Sequence, residues 1–127
     1  MTPLPDLDTL RACDGATLTE MAWQRGLAPA SVEPIDGLFW DRSAVDWWVP
    51  HLTLPEADAV WRGLRGLGWQ LIHTWRPAFP PDLQGHLEAA KGTLYVDVHY
   101  AASEEPAALL RCAVLALATA REKEHAT

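Results

Sequence analysis

The chain has 127 residues, of which 49% are apolar and 21% charged, and its net charge is −7. This length fits one domain, which we place at residues 1–127 with an ordered core at about 6–120 and a polar tail at 121–127. The acidic balance and the lack of a Lys/Arg cluster disfavour direct nucleic-acid binding, because phosphate contacts need concentrated positive charge.

Two short helices are predicted near the N-terminus. Residues 6–13 begin with acids, which stabilise the positive end of a helix. Thr17 and Glu20 stand at capping-box spacing, in which each side chain accepts a hydrogen bond from the other residue's backbone N–H. We expect the second helix to begin there and to end at Gly26, because glycine readily adopts the left-handed conformation that closes helices.

A hairpin is predicted after a proline-containing connector at residues 28–34. The aromatic and β-branched runs at residues 38–40 and 45–49 are typical of strands, and four turn-forming residues separate them. Trp47 and Trp48 are adjacent in the second run. Since neighbouring side chains of one strand point to opposite faces, these two rings cannot both point into the core.

The clearest helix and a strand follow in the middle of the chain. Thr53 and Glu56 repeat the capping-box spacing, and a helix is expected to continue from them to residue 67. Its apolar residues recur at helical spacing and form one stripe: Ala57, Val60, Trp61, Leu64 and Leu67. Residues 69–75 then switch to a period of two, which predicts a strand.

The last third predicts a long connection, a strand and a helix. Residues 77–92 contain three prolines and are expected to form a loop, with a helical turn as the alternative at 82–91; this length favours a functional role. Residues 93–100 alternate strictly and predict a strand. An alanine-rich helix is expected at about 104–120, capped by Ser103. Together the elements predict an α+β fold with a small, mostly antiparallel sheet.

Several segments resemble a family of small phage proteins. The segments share apolar signatures and their order along the chain: Leu18 to Trp23, Pro50-His51-Leu52-Thr53, Ala59-Val60-Trp61, Gly68-Trp69 and Leu110-Arg111-Cys112-Ala113. Over about residues 7–118 the chain resembles the phage ABA sandwich domain family, related to NinX-like phage proteins. The resemblance implies a three-layer α/β/α sandwich and a phage or prophage accessory protein. It carries over no functional residues.

Three polar residues on two predicted strands form a candidate metal or acid–base site. Asp97 and His99 are two positions apart and therefore share a face of their strand. If His73 shares that face, the three side chains could bind a metal ion or transfer protons. A structural role is the favoured interpretation, because His73 lies between apolar residues and no known metal-ligand spacing joins the set.

Aromatic side chains are the stronger candidate site. Trp47, Trp48, Trp75 and Phe79 lie on the predicted hairpin and near the long loop, and aromatic anchors dominate interface energetics. The competing interpretation is that they complete the core, where aromatic residues are commonly buried. Cys112 is expected in the core, and the sequence holds no cofactor, nucleophile or metal-binding motif.

The sequence thus favours a non-enzymatic phage or prophage accessory protein that binds a host or phage protein in the bacterial cytoplasm, without a cofactor. The alternatives are a small metal-dependent enzyme that uses His73, Asp97 and His99, and an acidic mimic of nucleic acid formed by the acids of residues 1–50. Membrane insertion is not expected, because no apolar run reaches roughly 18 residues without a charge. A homodimer is compatible with this composition.

Overall fold

The computed structural model describes residues 6–126, with side chains up to residue 123. Within that range the helices are α1 (Leu7–Ala12), α2 (Gly15–Gln24), α3 (Leu54–Arg62) and α4 (Glu105–Ala126). The strands are β1 (Val32–Ile35), β2 (Leu38–Asp41), β3 (Asp46–Trp47), β4 (Gln70–Trp75), β5 (Gly85–Lys91) and β6 (Leu94–Tyr100). The predicted α+β class with antiparallel strands is confirmed, and the strands are divided between two three-stranded sheets.

Helices α1 and α2 each begin at an aspartate. The backbone N–H of Thr9 donates to Asp6 and that of Thr17 donates to Asp14, both at 2.8 Å. These aspartates are the N-caps, since their carboxylates satisfy donors that the first helical turn leaves free. The prediction that Thr17 caps α2 is wrong, because Asp14 takes that position and Thr17 lies in the first turn.

The smaller sheet has the order β1-β2-β3. Strands β1 and β2 are joined by Asp36 and Gly37, whose positive φ angles of 50° and 81° suit a tight two-residue hairpin turn. The predicted hairpin is confirmed by the pairing of Trp40 with Trp47 across β2 and β3. Strand β1 was not predicted, because most of it falls within residues 28–34, where a connector is predicted.

The larger sheet has the order β4-β5-β6, so β5 lies in its centre. The prediction of a loop over residues 77–92 is wrong for this strand. Alanine, glutamate and lysine are weak strand formers, but β5 is paired along its length with β4 on one side and β6 on the other. The connection is thereby reduced to residues 76–84, with a short 3-10 turn at Pro81–Leu83.

Helix α4 forms the middle of the core. It packs against β5 and β6 of the larger sheet and against α1, α2 and α3. Leu110, Val114 and the neighbouring alanines are fully buried, as expected for a helix surrounded by other elements. Val60 and Trp61 of α3 are each 2% exposed, so the predicted stripe of this helix faces the core along α3 itself. The helix was expected to continue to residue 67, but it ends at Arg62 and is followed by a 3-10 turn at Gly63–Leu67, in which Leu67 is exposed.

The ends of α4 differ from the prediction. The helix begins at Glu105, after a 3-10 turn at Ala102–Glu104, so Ser103 lies inside that turn and is not the cap of α4. It continues to Ala126, past the predicted end at residue 120; residue 127 lies outside the described part of the chain.

Between residues 6 and 126, none of the helices combines the length and the apolar character needed to cross a bilayer.

Candidate functional site

An open pocket of about 400 Å³ lies between the smaller sheet and the helices α2 and α3. Its volume falls in the range of about 300–1,000 Å³ that is typical of ligand pockets. The residues that line it come from α2, from the smaller sheet, from the segment that leads into α3 and from the first turn of α3: Ala16, Thr19, Gly37, Leu38, Phe39, Asp46, Trp47, Trp48, Val49, His51, Thr53 and Glu56.

Aromatic rings form one wall of this pocket. Trp48 is 2% exposed and contacts Phe39 edge-on, with ring centroids 6.3 Å apart. Trp47 is 40% exposed and meets Trp40 edge-on at 5.1 Å. The two adjacent tryptophans therefore divide as their alternation predicted. Trp48 belongs to the core, and Trp47 leaves part of its ring exposed at the pocket.

A histidine and a threonine form a polar contact at the pocket. Nδ1 of His51 lies 2.9 Å from the hydroxyl of Thr19, which donates to the carbonyl of Gly15 at 3.0 Å. Because a hydroxyl carries one hydrogen, His51 is the donor to Thr19 in this arrangement. Burial lowers the pKa of His51, and the charge of Asp14 opposes this only partly. The imidazole is therefore neutral near pH 7.

Glu56 fixes the segment that enters α3. Its carboxylate accepts from the backbone N–H of Val49 at 3.1 Å and from the hydroxyl of Thr53 at 2.9 Å. Thr53 is the N-cap, as predicted, but its side chain makes no capping bond to the backbone and donates to Glu56 instead. The bonds hold this wall of the pocket in place.

The smaller sheet is acidic around its exposed apolar side chains. Residues 32–49 carry four acids and one base. The single base, Arg42, lies 3.7 Å from Glu33, and Asp41 accepts from three donors of nearby residues. Asp46 remains at the pocket itself. The exposed apolar side chains of the same segment are Ile35, Leu38, Val45 and Trp47.

The other two predicted anchors lie elsewhere. Trp75 ends β4 and is 47% exposed, with its ring 6.4 Å from that of Tyr100. Phe79 is 43% exposed in the connection that follows, and the guanidinium of Arg76 lies 5.1 Å from its ring centroid. Neither lines the pocket beside Trp47. The four predicted aromatic residues therefore do not form one site.

The predicted metal set is divided between the two faces of the larger sheet. His73 is paired with Leu87, and Leu87 with Val98, so these three side chains share one face. Asp97 and His99 flank Val98 in β6 and lie on the opposite face. The structure thus brings Asp97 and His99 together and leaves His73 apart from them.

His73 belongs to a hydrogen-bonded group that ties the sheet to the start of α4. Its Nε2 bonds to the hydroxyl of Tyr100, which donates to Glu105 at 2.7 Å. The ring of Trp61 contacts His73 edge-on at 5.9 Å. Burial, assisted by the bond to Glu105, raises the pKa of Tyr100. The phenol stays protonated, and we interpret this group as structural.

A different histidine meets Asp97 and His99. His86 of β5 is the cross-strand partner of His99, and their rings stack in parallel with centroids 4.1 Å apart. Nε2 of His86 lies 3.0 Å from Oδ2 of Asp97. His86 was not predicted at this site, because a loop is predicted over residues 77–92 and β5 lies within that range. The alternation of Leu87 and Ala89 with polar neighbours was the available signal.

Two further polar residues lie on the same face of the larger sheet. Glu88 accepts from the hydroxyl of Tyr95 at 2.7 Å, and its other carboxylate oxygen lies 3.9 Å from Nδ1 of His86. The bond to Glu88, together with burial and the charge of Asp97, raises the pKa of Tyr95 to about 12. Tyr95 therefore acts as a fixed donor to Glu88 at neutral pH.

Comparisons with known proteins add no relative. No protein family, curated protein or solved structure matches this chain. The membership in the phage ABA sandwich domain family stays a prediction from the sequence.

Proposed function

We propose that this chain is a binding protein whose pocket beside Trp47 takes an apolar side chain of a partner protein. The observation that carries the proposal is the pocket itself, in which a 40% exposed tryptophan stands beside the buried ring of Trp48 and the partly buried ring of Phe39. Concave sites with rigid aromatic walls are where interface energy concentrates, because an inserted side chain is fully desolvated.

Charge defines the partner further. Asp46 at the pocket, the acidic surroundings of residues 32–49 and the net charge of −7 favour a ligand with Lys or Arg next to its apolar anchor. The neutral ring of His51 adds no opposing positive charge near pH 7. The ligand class is therefore a basic-apolar segment of a protein.

We further propose that the chain is a phage or prophage accessory protein acting on a host or phage protein in the bacterial cytoplasm. The support is the resemblance over residues 7–118. Genes for phage early functions beside this one would favour the proposal, and a conserved setting among bacterial housekeeping genes would oppose it.

Selection from a random peptide library on the immobilised full chain tests the binding proposal. We expect the selected peptides to share an aromatic or large aliphatic residue next to Lys or Arg. Their affinity, measured by titration calorimetry, should fall at least about tenfold in Trp47→Ala, which corresponds to roughly 1.4 kcal/mol or more.

The matched control is Trp75→Ala, which removes a tryptophan of similar exposure on the other sheet. If the peptides keep their affinity for this variant and lose affinity for Trp47→Ala, the result supports the pocket as the binding site. A loss of affinity in Trp75→Ala alone would contradict the proposal and place the binding surface near Trp75 and Phe79. A consensus without basic residues would contradict the proposed partner chemistry.

A further inference from the structure

We infer that His86, Asp97 and His99 form a binding site for a divalent transition-metal ion, with Zn²⁺ as the reference ion, on the larger sheet. This site is separate from the pocket beside Trp47, and neither proposal depends on the other. The ligand atoms of the three residues all lie within 4.8 Å of one another. They are two imidazoles and one carboxylate, held by the adjacent strands β5 and β6.

The present geometry needs only a small adjustment to bind an ion. Zn²⁺ takes nitrogen and oxygen ligands at about 2.0–2.2 Å, so its ligand atoms must stand roughly 3–4 Å apart. Nε2 of His86 and Oδ2 of Asp97 are 3.0 Å apart already. The ring of His99 lies parallel to that of His86 at 4.1 Å, and a rotation of this exposed side chain turns its nitrogen towards the other two atoms.

Burial makes His86 the fixed member of the site. The residue is 7% exposed and lies in the central strand, whereas Asp97 is half-buried and His99 is exposed. A buried ligand loses little conformational freedom on binding, and the exposed His99 leaves a route for the ion to enter. The three protein ligands leave a fourth tetrahedral position for water.

The carboxylate of Glu88 lies near the nitrogen of His86 that faces away from the proposed ion. Nδ1 of His86 is buried and has no hydrogen-bond partner among the residues that the structure describes, and Oε2 of Glu88 lies 3.9 Å from it. When Nε2 binds a metal ion, the ring proton must be on Nδ1, and a small shift brings Glu88 within reach of it. Tyr95 holds the other oxygen of Glu88 at 2.7 Å. Carboxylates in this position orient metal-bound imidazoles.

The donor set selects the class of ion. Imidazole nitrogens suit Zn²⁺, Ni²⁺ and Cu²⁺, whereas Mg²⁺ and Ca²⁺ prefer oxygen ligands throughout. We therefore expect Zn²⁺ to bind with one equivalent per chain and Mg²⁺ to leave the site empty at the same concentration.

Titration calorimetry with ZnCl₂ on the metal-free full chain tests the inference, and Co²⁺ supplies a second readout because a tetrahedral Co²⁺ site absorbs visible light. We expect one equivalent of Zn²⁺ with a Kd well below about 1 mM. The binding should be lost in His99→Ala and Asp97→Ala. Both side chains reach the surface, so circular dichroism should show these variants folded.

The matched control is His73→Ala, which removes a histidine from the opposite face of the same sheet. It should bind Zn²⁺ as the unaltered chain does, while Glu88→Ala should bind about 10- to 100-fold more weakly. Retention of Zn²⁺ binding in both His99→Ala and Asp97→Ala would overturn the inference, as would the absence of Zn²⁺ binding in the unaltered chain.

Discussion

The ring of Tyr100 lies directly over Gly85, its partner across strands β5 and β6. A Cβ atom placed on Gly85 would stand 2.2 Å from Cζ of the tyrosine. The absence of a side chain at this position lets the phenol cover the strand while its hydroxyl reaches Glu105 and His73. Close packing, and not a turn, therefore requires glycine here.

Gly85→Ala is expected to destabilise the fold by about 1–3 kcal/mol, because the new methyl group must displace a buried ring. Urea denaturation measures the change. The control is Gly66→Ala, since a Cβ there has no atom within 4 Å. The control should change stability by less than about 1 kcal/mol, with stabilisation as the favoured direction. Equal losses in both variants would contradict the packing argument.

Val45→Asn is expected to stabilise the chain by about 1 kcal/mol. Val45 has a φ of 53°, where a β-branched side chain is strained, and it is 74% exposed, so little packing is lost by replacing it. Asparagine tolerates this conformation. Val45→Thr keeps the branched side chain and should stay within about 0.5 kcal/mol of the unaltered chain. A gain in the threonine variant as large as in the asparagine variant would argue against strain.

We expect the chain to lose stability in mild acid because of His51. Burial lowers its pKa in the folded state below the ordinary value of 6.5, so below pH 6.5 the unfolded chain binds a proton that the folded chain excludes. The contribution of the neutral His51 to the free energy of unfolding is fully present above pH 6.5 and decreases as the pH falls towards the folded-state pKa. Urea denaturation at about pH 7.5 and 5.5 should show a smaller decrease in His51→Asn than in the unaltered chain. Identical decreases would show that His51 is not responsible.

The two cysteines should differ in reactivity. Burial raises the pKa of the Cys112 thiol to about 12, whereas Cys13 is partly exposed. Because the thiolate is the reactive form, a thiol reagent should label Cys13 in the folded chain and reach Cys112 only on unfolding. Cys13→Ser should abolish the native-state signal. Rapid labelling of this variant without denaturant would show that the core opens around α4.

The spacing of apolar residues predicted the helices and strands that bury one face and expose the other. The stripe of α3 and the alternation of β6 were sufficient to place both elements. Strand β5 was missed because its residues favour helix and coil, and only pairing with β4 and β6 makes it a strand. Such pairing depends on neighbours distant in sequence, which a local pattern does not contain.

The same limit explains which site residues were found. The alternation rule separated Trp47 from Trp48 and joined Asp97 to His99, since both relations lie within one strand. The position of His73 depends on the register between strands, and this register was not accessible from the pattern. The role of His86 was not predicted because its strand, β5, was not predicted. Relations within an element were thus predictable, and relations across the sheet were not.

Two-dimensional NMR of the indole N–H groups, with a peptide selected on the full chain, tests the central claim that the pocket beside Trp47 binds the partner. Trp47→Phe and Trp75→Phe assign the two relevant signals. The account predicts that the peptide shifts the indole signal of Trp47 and leaves that of Trp75 in place. A shift at Trp75 with no change at Trp47 would contradict it.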